Sequence, residues 1–394
     1  LDEVDITNSV SVPSGAPPPD SENLTNRFKY LRHHEKRLDQ FEKFIIAVDN
    51  DAPGNKLGGE LARRIGYGKC YRIEYPKGCK DANDVLINHG KTKLRQIIKS
   101  AKPYPVNGVY STGATRNELL NIHKNGFRKA YSTGIDGLDE FYTVREQEFT
   151  VTTGIPGHGK SELTDTIAIN LIKQHGWKMA ICSPENFPVE RHHVKWIEKL
   201  LNKQFHRCNK QEINTAIEYL NNRIFSLAPE ENTLTLELIL EKTEQLIYRY
   251  GIHGLIIDPF NSLYHKRPKD LIQTEYISSF LSKIRNFVRQ KDIHIWIVAH
   301  PRKMESENGE VAVPNAYDIS GSANWFNKAD NIISIFRNED NPVEIYIQKV
   351  RFSEIGKTGM ITLEYDESIK NYKEGVTEMT KANVNENQKG VRNE

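Results

Sequence analysis

Residues 154–161 read Gly154-Ile155-Pro156-Gly157-His158-Gly159-Lys160-Ser161, which fits the spacing G-x-x-x-x-G-K-[ST]. This pattern serves to hold a triphosphate. Gly154, Gly157 and Gly159 let the backbone bend around phosphate oxygens, and successive N–H groups along the turn, through His158 and on to Glu162, point inward. Lys160 is expected to reach the β/γ-phosphates and Ser161 to ligate Mg²⁺. Such a string arises by chance in roughly one chain of this length in fifty, so its surroundings must decide.

Those surroundings fit. Glu148–Thr153 has the pattern of a short strand, and Leu163, Ile167, Leu171 and Ile172 then recur at helical spacing. Three further apolar runs each end in a polar residue: Trp177–Ser183 followed by Pro184-Glu185, Gly254–Asp258, and Ile293–His300. In open α/β sheets ligands sit beyond the carboxyl ends of the strands, so Glu185, Asp258 and His300 are expected to converge on the phosphates. An apolar run ending in Asp suits Asp258 to holding Mg²⁺, directly or through water. Glu185 is the candidate base for an attacking water. His300 is placed to donate to a γ-phosphate. The implied cofactors are ATP, or another NTP or dNTP, and Mg²⁺. Ile277, Phe280, Leu281, Ile284, Phe287 and Val288 mark the buried face of a helix between the last two strands and carry no chemistry.

Two cationic segments follow. Pro301-Arg302-Lys303 opens a stretch to about Asp318 with little periodicity, and loops of that length are uncommon unless they serve a function. Arg302 and Lys303 suit a grip on the backbone of single-stranded nucleic acid. Farther on, Val343–Gln348 reads as a strand leading into Lys349-Val350-Arg351, a turn at Gly356–Gly359, and a returning strand Met360–Tyr365. Lys349 and Arg351 alternate on one face. On spacing alone they fit either a charged hairpin edge or cations supplied to another subunit's γ-phosphate. The pairs His33-His34 and His192-His193 have no Cys or His partner at metal-ligand spacing and read as solvated helix faces.

The whole chain sets bounds on this reading. Its 394 residues carry 54 basic and 52 acidic side chains, a net charge of +2, which argues against a protein that coats polyanions generally. Cys70, Cys79, Cys182 and Cys208 form no C-x-x-C pair and read as reduced thiols. No apolar run approaches the roughly 20 residues of a membrane span, so no membrane is expected as a partner. The expected organisation is a first domain over 1–100, a linker with a short helix over 101–127, an alternating strand–helix domain over 128–372, and a disordered tail over 373–394. Thr115 and Glu118 fit a capping box at the start of the linker helix, and Leu119, Ile122 and Phe127 give it an apolar stripe.

Read together, Ser132–Asp139, Gly154–Ser161, Ser183-Pro184-Glu185-Asn186, Ile256-Ile257-Asp258-Pro259, Val298-Ala299-His300, Gly321–Trp325 and Lys349-Val350-Arg351 resemble the RecA-like core of the DnaB-type ring helicases. The phage primase–helicases and Twinkle-type mitochondrial helicases are the closest in pattern. The resemblance implies an α/β P-loop NTPase with a mainly parallel twisted sheet. It also implies a hexameric ring around single-stranded DNA, Lys349 and Arg351 acting in trans, and Arg302, Lys303, Ser322 and Asn324 on loops that line the channel.

The first hundred residues add Phe44–Asp51, an apolar strand ending in D-x-D, and Lys80–Leu86. Carboxylates clustered at a strand end can hold Mg²⁺. These strings resemble a TOPRIM domain, and the resemblance implies Asp49, Asp51 and Asp84 as metal carboxylates. The metal-facing Glu of that family has no counterpart. Ser9–Ala16 reads as the second strand, preceded by a remnant of helix at Leu1–Val4, so the chain is expected to start inside the fold. This weakens an expectation of primase or nuclease chemistry and favours a scaffold.

The expected function is a replicative DNA helicase driven by ATP hydrolysis. A primase–helicase fragment and a RecA/RadA-like recombination ATPase are the alternatives. Replicative polymerase and single-strand-binding protein are the further partners expected. The expected location is the cytoplasm of a bacterium or phage-infected host, with a mitochondrial site as the alternative.

Overall fold

The computed structural model describes residues 6–373, apart from 7, 14, 19–27, 107, 128–129, 229–232, 266–271, 303, 305, 308–309, 320–322 and 338–341. The chain forms two compact units, Leu1–Lys124 and Asn125–Glu394. Lys303, Ser322, the Leu1–Val4 helix and the tail beyond 373 lie outside the described residues.

The first unit contains α1 (Lys29–His33), α2 (Glu35–Leu38), β1 (Phe44–Ile46), α3 (Ala52–Ile65), β2 (Cys70–Arg72), α4 (Ala82–Lys99), β3 (Lys102–Pro103) and most of α5 (Arg116–Asn125). β1 pairs parallel with β2, and β2 antiparallel with β3. Asp51 and Asp81 cap α3 and α4, accepting from the backbone N–H groups of Gly54 and Asp84. Ile46, Leu57, Leu61, Ala62, Cys70 and Tyr104 close a small core.

Three expectations for this unit need correction. Among the described residues of 9–16, none lies in a strand. The linker does not begin at 101, because Lys102 and Pro103 belong to the sheet. The Thr115 capping box does not form. A 3₁₀ turn, Thr112–Thr115, precedes α5; Ser111 caps it by accepting from Ala114 N–H, and the Thr115 hydroxyl donates to the Thr112 carbonyl at 3.2 Å. A cap one turn upstream has moved Thr115 inside the helical run. Of the apolar stripe, Leu119 and Phe127 are 46% and 58% exposed and Ile122 is half-buried.

The second unit contains α6 (Asp136–Asp139), β4 (Phe149–Gly154), α7 (Lys160–His175), β5 (Met179–Cys182), α8 (Val189–Leu201), α9 (Lys210–Leu220), β6 (Ile224–Ser226), α10 (Leu236–Tyr250), β7 (Gly254–Ile257), α11 (Gln273–Lys291) and β8 (His294–Val298). A small hairpin, β9 (Ser306–Glu307) with β10 (Glu310–Val311), interrupts the long stretch after His300. Then come α12 (Ala323–Lys328), β11 (Asn331–Arg337), β12 (Val343–Val350), β13 (Gly359–Asp366) and β14 (Asn371–Lys373).

Nine strands form one sheet in the order β14-β13-β12-β11-β4-β8-β7-β5-β6. From β11 to β6 every pairing is parallel, and β12 to β14 extend it antiparallel. This is the mainly parallel α/β fold expected. The parallel strands β4, β5, β7 and β8 are buried along their whole length, as sheets covered on both faces require. One core face collects Leu163, Ile167, Leu171, Trp196 and Ile256; the other collects Leu255, Ile257, Phe280, Ile284 and Trp325. β14 ends at Lys373, where the sequence suggested the start of a tail.

Candidate active site

β4 carries the chain between its neighbours β8 and β11 and releases it at Gly154. Gly154 has φ 143°, and a Cβ there would lie 2.3 Å from the Ile335 carbonyl oxygen on β11. Gly159 has φ 97°, and a Cβ there would meet the Tyr372 hydroxyl at 2.5 Å. Only glycine fits either position. The loop between them ends at the first turn of α7, where free N–H groups and the helix dipole favour an anion. Lys160 is buried and donates to the carbonyls of Gly154 (2.8 Å) and Ile155 (2.9 Å). Burial lowers its pKa to about 8, against the attraction of Asp258 and Glu185. A buried cation held by its own loop's carbonyls suits an incoming phosphate.

Asp258, just past β7, is 4% exposed, and burial raises its pKa to about 6, with a hydrogen bond to Ser161 pulling the other way. Ser161 and Asp258 thus meet at the floor of the loop, and this pair of oxygen donors fits Mg²⁺. Glu185 stands on a 3₁₀ turn, Pro184–Asn186, after β5, and Asn186 braces that turn by donating to Ser183 Oγ at 2.8 Å. The backbone N–H of His300 donates to Asn261 Oδ1 at 2.9 Å. Burial and nearby Lys160 lower the basicity of its ring, while Glu185 raises it. Lys160, Ser161, Glu185 and His300 line one cleft of about 430 Å³. The strand ends therefore bring together the residues the sequence suggested.

The opposite wall was not foreseen. It is formed by Arg337, Val343, Tyr365 and Tyr372, contributed by β11 to β14. The Arg337 guanidinium lies 5.7 Å from the Tyr365 ring centroid and pairs with Glu367 at 2.6 Å. The Tyr365 and Tyr372 rings sit 5.2 Å apart. Tyr365 ends a strand read from the sequence; what the sequence lacks is β11, which ends in Arg337, and the order that brings these ends beside the loop.

The side chains of two residues at this turn are engaged elsewhere. The Glu162 carboxylate faces α8, pairing with Lys195 and Lys199, each at 2.9 Å. A carboxylate aimed at phosphate would repel it, and the two lysines draw this one away. His158 accepts at Nδ1 from the Arg337 backbone N–H at 2.9 Å, and its ring packs on Phe336, so it braces the loop against β11. The solvated face expected of His192-His193 needs correction: His192 is buried and binds Asp165 at 2.7 Å, joining α8 to α7.

Lys349 and Arg351 lie at the far end of β12 and do not line the cleft. Lys349 Nζ donates to the Phe326 carbonyl at 2.5 Å, and Arg351 Nε lies 2.6 Å from the Asp330 carboxylate. Burial, with Arg351 close by, lowers the Lys349 pKa to about 8. Arg302 is exposed, its backbone N–H donating to the Asp318 carbonyl at 2.7 Å. Asn324, in the first turn of α12, donates to the Thr274 carbonyl at 3.0 Å.

In the first unit the three acids gather around a lysine. Lys80 Nζ lies 3.0 Å from Asp51 and 3.9 Å from Asp49, and its backbone N–H donates to Asp84 Oδ2 at 2.8 Å. Asp51 is also engaged in capping α3. Among the described residues no group of three His, Cys, Asp or Glu is arranged to hold a metal ion.

Comparison with known proteins agrees with this geometry. Residues 130–374 match the family model "DnaB-like helicase C terminal domain", and residues 23–86 match "Toprim-like". The Twinkle homolog protein, chloroplastic/mitochondrial, of Arabidopsis thaliana is 36% identical over 401 residues, 94% of this chain and 56% of that protein. The DNA helicase/primase of Enterobacteria phage T3 is 23% identical over 345 residues, 82% of this chain and 59% of that protein. The chain thus spans little more than half the length of these relatives. A solved DnaB-like replicative helicase superposes with a TM-score of 0.54 at 16% identity, covering 74% of this chain and 73% of that one, a likeness of fold. With a phosphate loop, an acid at each of two strand ends and a mainly parallel sheet that presents them, this chain belongs to the DnaB-like helicase family through its C-terminal domain, and carries a Toprim-like segment ahead of it.

Proposed function

We propose that this protein is a replicative DNA helicase: an ATP-driven motor that moves along single-stranded DNA and separates duplex as a hexameric ring. One observation carries the reading. Val343, at the start of β12, lines the cleft, and Arg351 lies just past that strand's other end. At about 3.3 Å per residue, eight steps put Arg351 roughly 25 Å from its own nucleotide site. A cation that distant serves a neighbouring protomer or no nucleotide.

The chemistry follows from the cleft. Lys160 and the loop N–H groups hold the phosphates, and Arg337, Tyr365 and Tyr372 offer flat surfaces for a base. Ser161 and Asp258 would hold Mg²⁺, which supplies charge neutralisation when bound. Glu185 orients a water for in-line attack on the γ-phosphorus and takes its proton. The new P–O bond forms as the bond to the β,γ-bridging oxygen breaks, giving ADP and inorganic phosphate. His300 reports the γ-phosphate to the segment that follows it, where Arg302, Lys303, Ser322 and Asn324 would contact DNA. Arg351, with Lys349, stabilises charge on the neighbour's departing phosphoryl group.

A replicative polymerase and a single-strand-binding protein are the partners this role implies. The chloroplastic/mitochondrial designation of the Arabidopsis relative supports an organellar site beside the cytoplasmic one. The test is ATPase rate with and without single-stranded DNA, run beside unwinding of a forked duplex. Stimulated hydrolysis with unwinding supports the motor. Hydrolysis without unwinding favours a recombination ATPase.

The Toprim-like match supports a second reading, primer synthesis by the longer protein with Asp49, Asp51 and Asp84 on Mg²⁺. That ion must displace Lys80 from Asp51. Calorimetric titration of Mn²⁺ into wild type and Asp49→Ala, with no difference between them, would end it.

A further inference from the structure

Lys349 and Arg351 both reach the carbonyl end of α12. Besides the Lys349 contact with Phe326, Arg351 Nη2 donates to the carbonyls of Asn327 (3.3 Å) and Ala329 (3.1 Å). Carbonyls that end a helix lack partners within it and attract cations. Asp330 completes the grip. It is 1% exposed, with Arg351 at 2.6 Å and Arg285 at 3.9 Å from Oδ1. Its other oxygen accepts from the Phe149 N–H at 3.2 Å, and its own N–H donates to the Phe149 carbonyl. Phe149 is the first residue of β4, the strand that ends in the phosphate loop.

α12 is fastened on its other side as well. The Trp325 ring packs edge-on against Phe260, two residues beyond Asp258, at 5.0 Å. Lys328 Nζ donates to the Ser278 carbonyl and to the hydroxyls of Ser278 and Ser282 on α11. One short helix thus touches the Asp258 turn of its own nucleotide site and holds the two cations that leave it.

We propose that Asp330 is a positioning residue for the neighbour's reaction: it sets Arg351 in the orientation from which that side chain enters the adjoining protomer's site, through an anchor shared with α12. The inference rests on the trans role of Arg351 given above. Without the carboxylate, Arg285 and Arg351 face each other with no counter-charge.

The test uses mixed assemblies of the full chain. Lys160→Ala subunits have no working nucleotide site but an intact Arg351, and Arg351→Ala subunits have the reverse. Each alone is inactive, and their mixture should recover ATPase. Asp330→Asn is then added to one subunit type at a time. Placed with Lys160→Ala, it should lower the recovered rate by about 10²-fold, as a misplaced catalytic group does. Placed with Arg351→Ala, it should leave the rate of the reference mixture unchanged. Equal loss in both mixtures, or loss only in the second, overturns the inference and assigns Asp330 to the integrity of β4. A reference mixture that stays inactive removes the trans role itself, and the inference with it. If Asp330→Asn subunits do not melt cooperatively, Asp330→Glu, which keeps the charge but moves it, takes its place in the same two mixtures.

Discussion

The Tyr372 hydroxyl donates to the Gly159 carbonyl at 3.1 Å, so the last strand of the sheet is tied to the phosphate loop. Gly159 is also the residue whose added Cβ would strike that hydroxyl. Contact and clash arise from one close approach.

Tyr372→Phe should therefore weaken nucleotide binding modestly. A hydrogen bond of this kind is worth about 1 kcal/mol, or about fivefold in affinity. Fluorescent-nucleotide titration measures it. Gly159→Ala should be far worse, because it adds the clash to a backbone at φ 97°. Undiminished binding in Gly159→Ala would show that the loop adopts another path when nucleotide is present.

Lys160→Ala should abolish hydrolysis, with or without DNA. The side chain is buried at the loop and donates to the Gly154 and Ile155 carbonyls, where the phosphates are expected. Residual DNA-stimulated turnover in a steady-state assay would contradict the assignment.

Arg351→Ala should lower turnover by about 10³–10⁵-fold while nucleotide still binds. Binding is preserved because the cleft is lined without that residue. Equilibrium binding and ATPase on one preparation separate the two quantities, and near-normal turnover would leave Arg351 as a structural ion pair with Asp330.

Acid should destabilise the second unit through His294. Its ring is fully buried, hydrogen-bonded to Thr150 Oγ1 (3.0 Å) and the Arg145 carbonyl (2.6 Å), and burial lowers its pKa to about 4. The unfolded chain takes up that proton near pH 6.5 and the folded one does not. The contribution is thus complete above about pH 6.5 and is lost progressively toward pH 4, up to about 3 kcal/mol. Asp258, with its pKa raised, acts in the opposite sense. The informative quantity is therefore the difference in melting temperature between wild type and His294→Gln, which should shrink as pH falls from 7 to 5.

What could be read from the sequence, and what could not, divides by the range of the interaction. The phosphate loop, Asp258 and Glu185 are marked locally, by glycines at fixed intervals and by apolar runs that stop at an acid. The strands read beside them, β4, β5, β7, β8, β12 and β13, hold to within a few residues for the same reason. The Arg337–Tyr365–Tyr372 wall depends on β13 and β14 being added outside β12, a pairing between residues far apart in the chain. Thr115 is misread from the other direction: it fits a local rule and is overruled by a neighbour outside it, Ser111 one turn earlier.

β12 has one end at a nucleotide cleft and the other at Arg351. Under the reading proposed here, that strand works as a ruler between consecutive ATP molecules in the ring. Its composition is free to drift so long as alternate side chains stay apolar, but its length is not. A single inserted residue would turn Arg351 to the wrong face, and two would overshoot by about 7 Å. Loops at the rim can grow or shrink across relatives, while the count from Val343 to Arg351 should hold wherever the ring is kept.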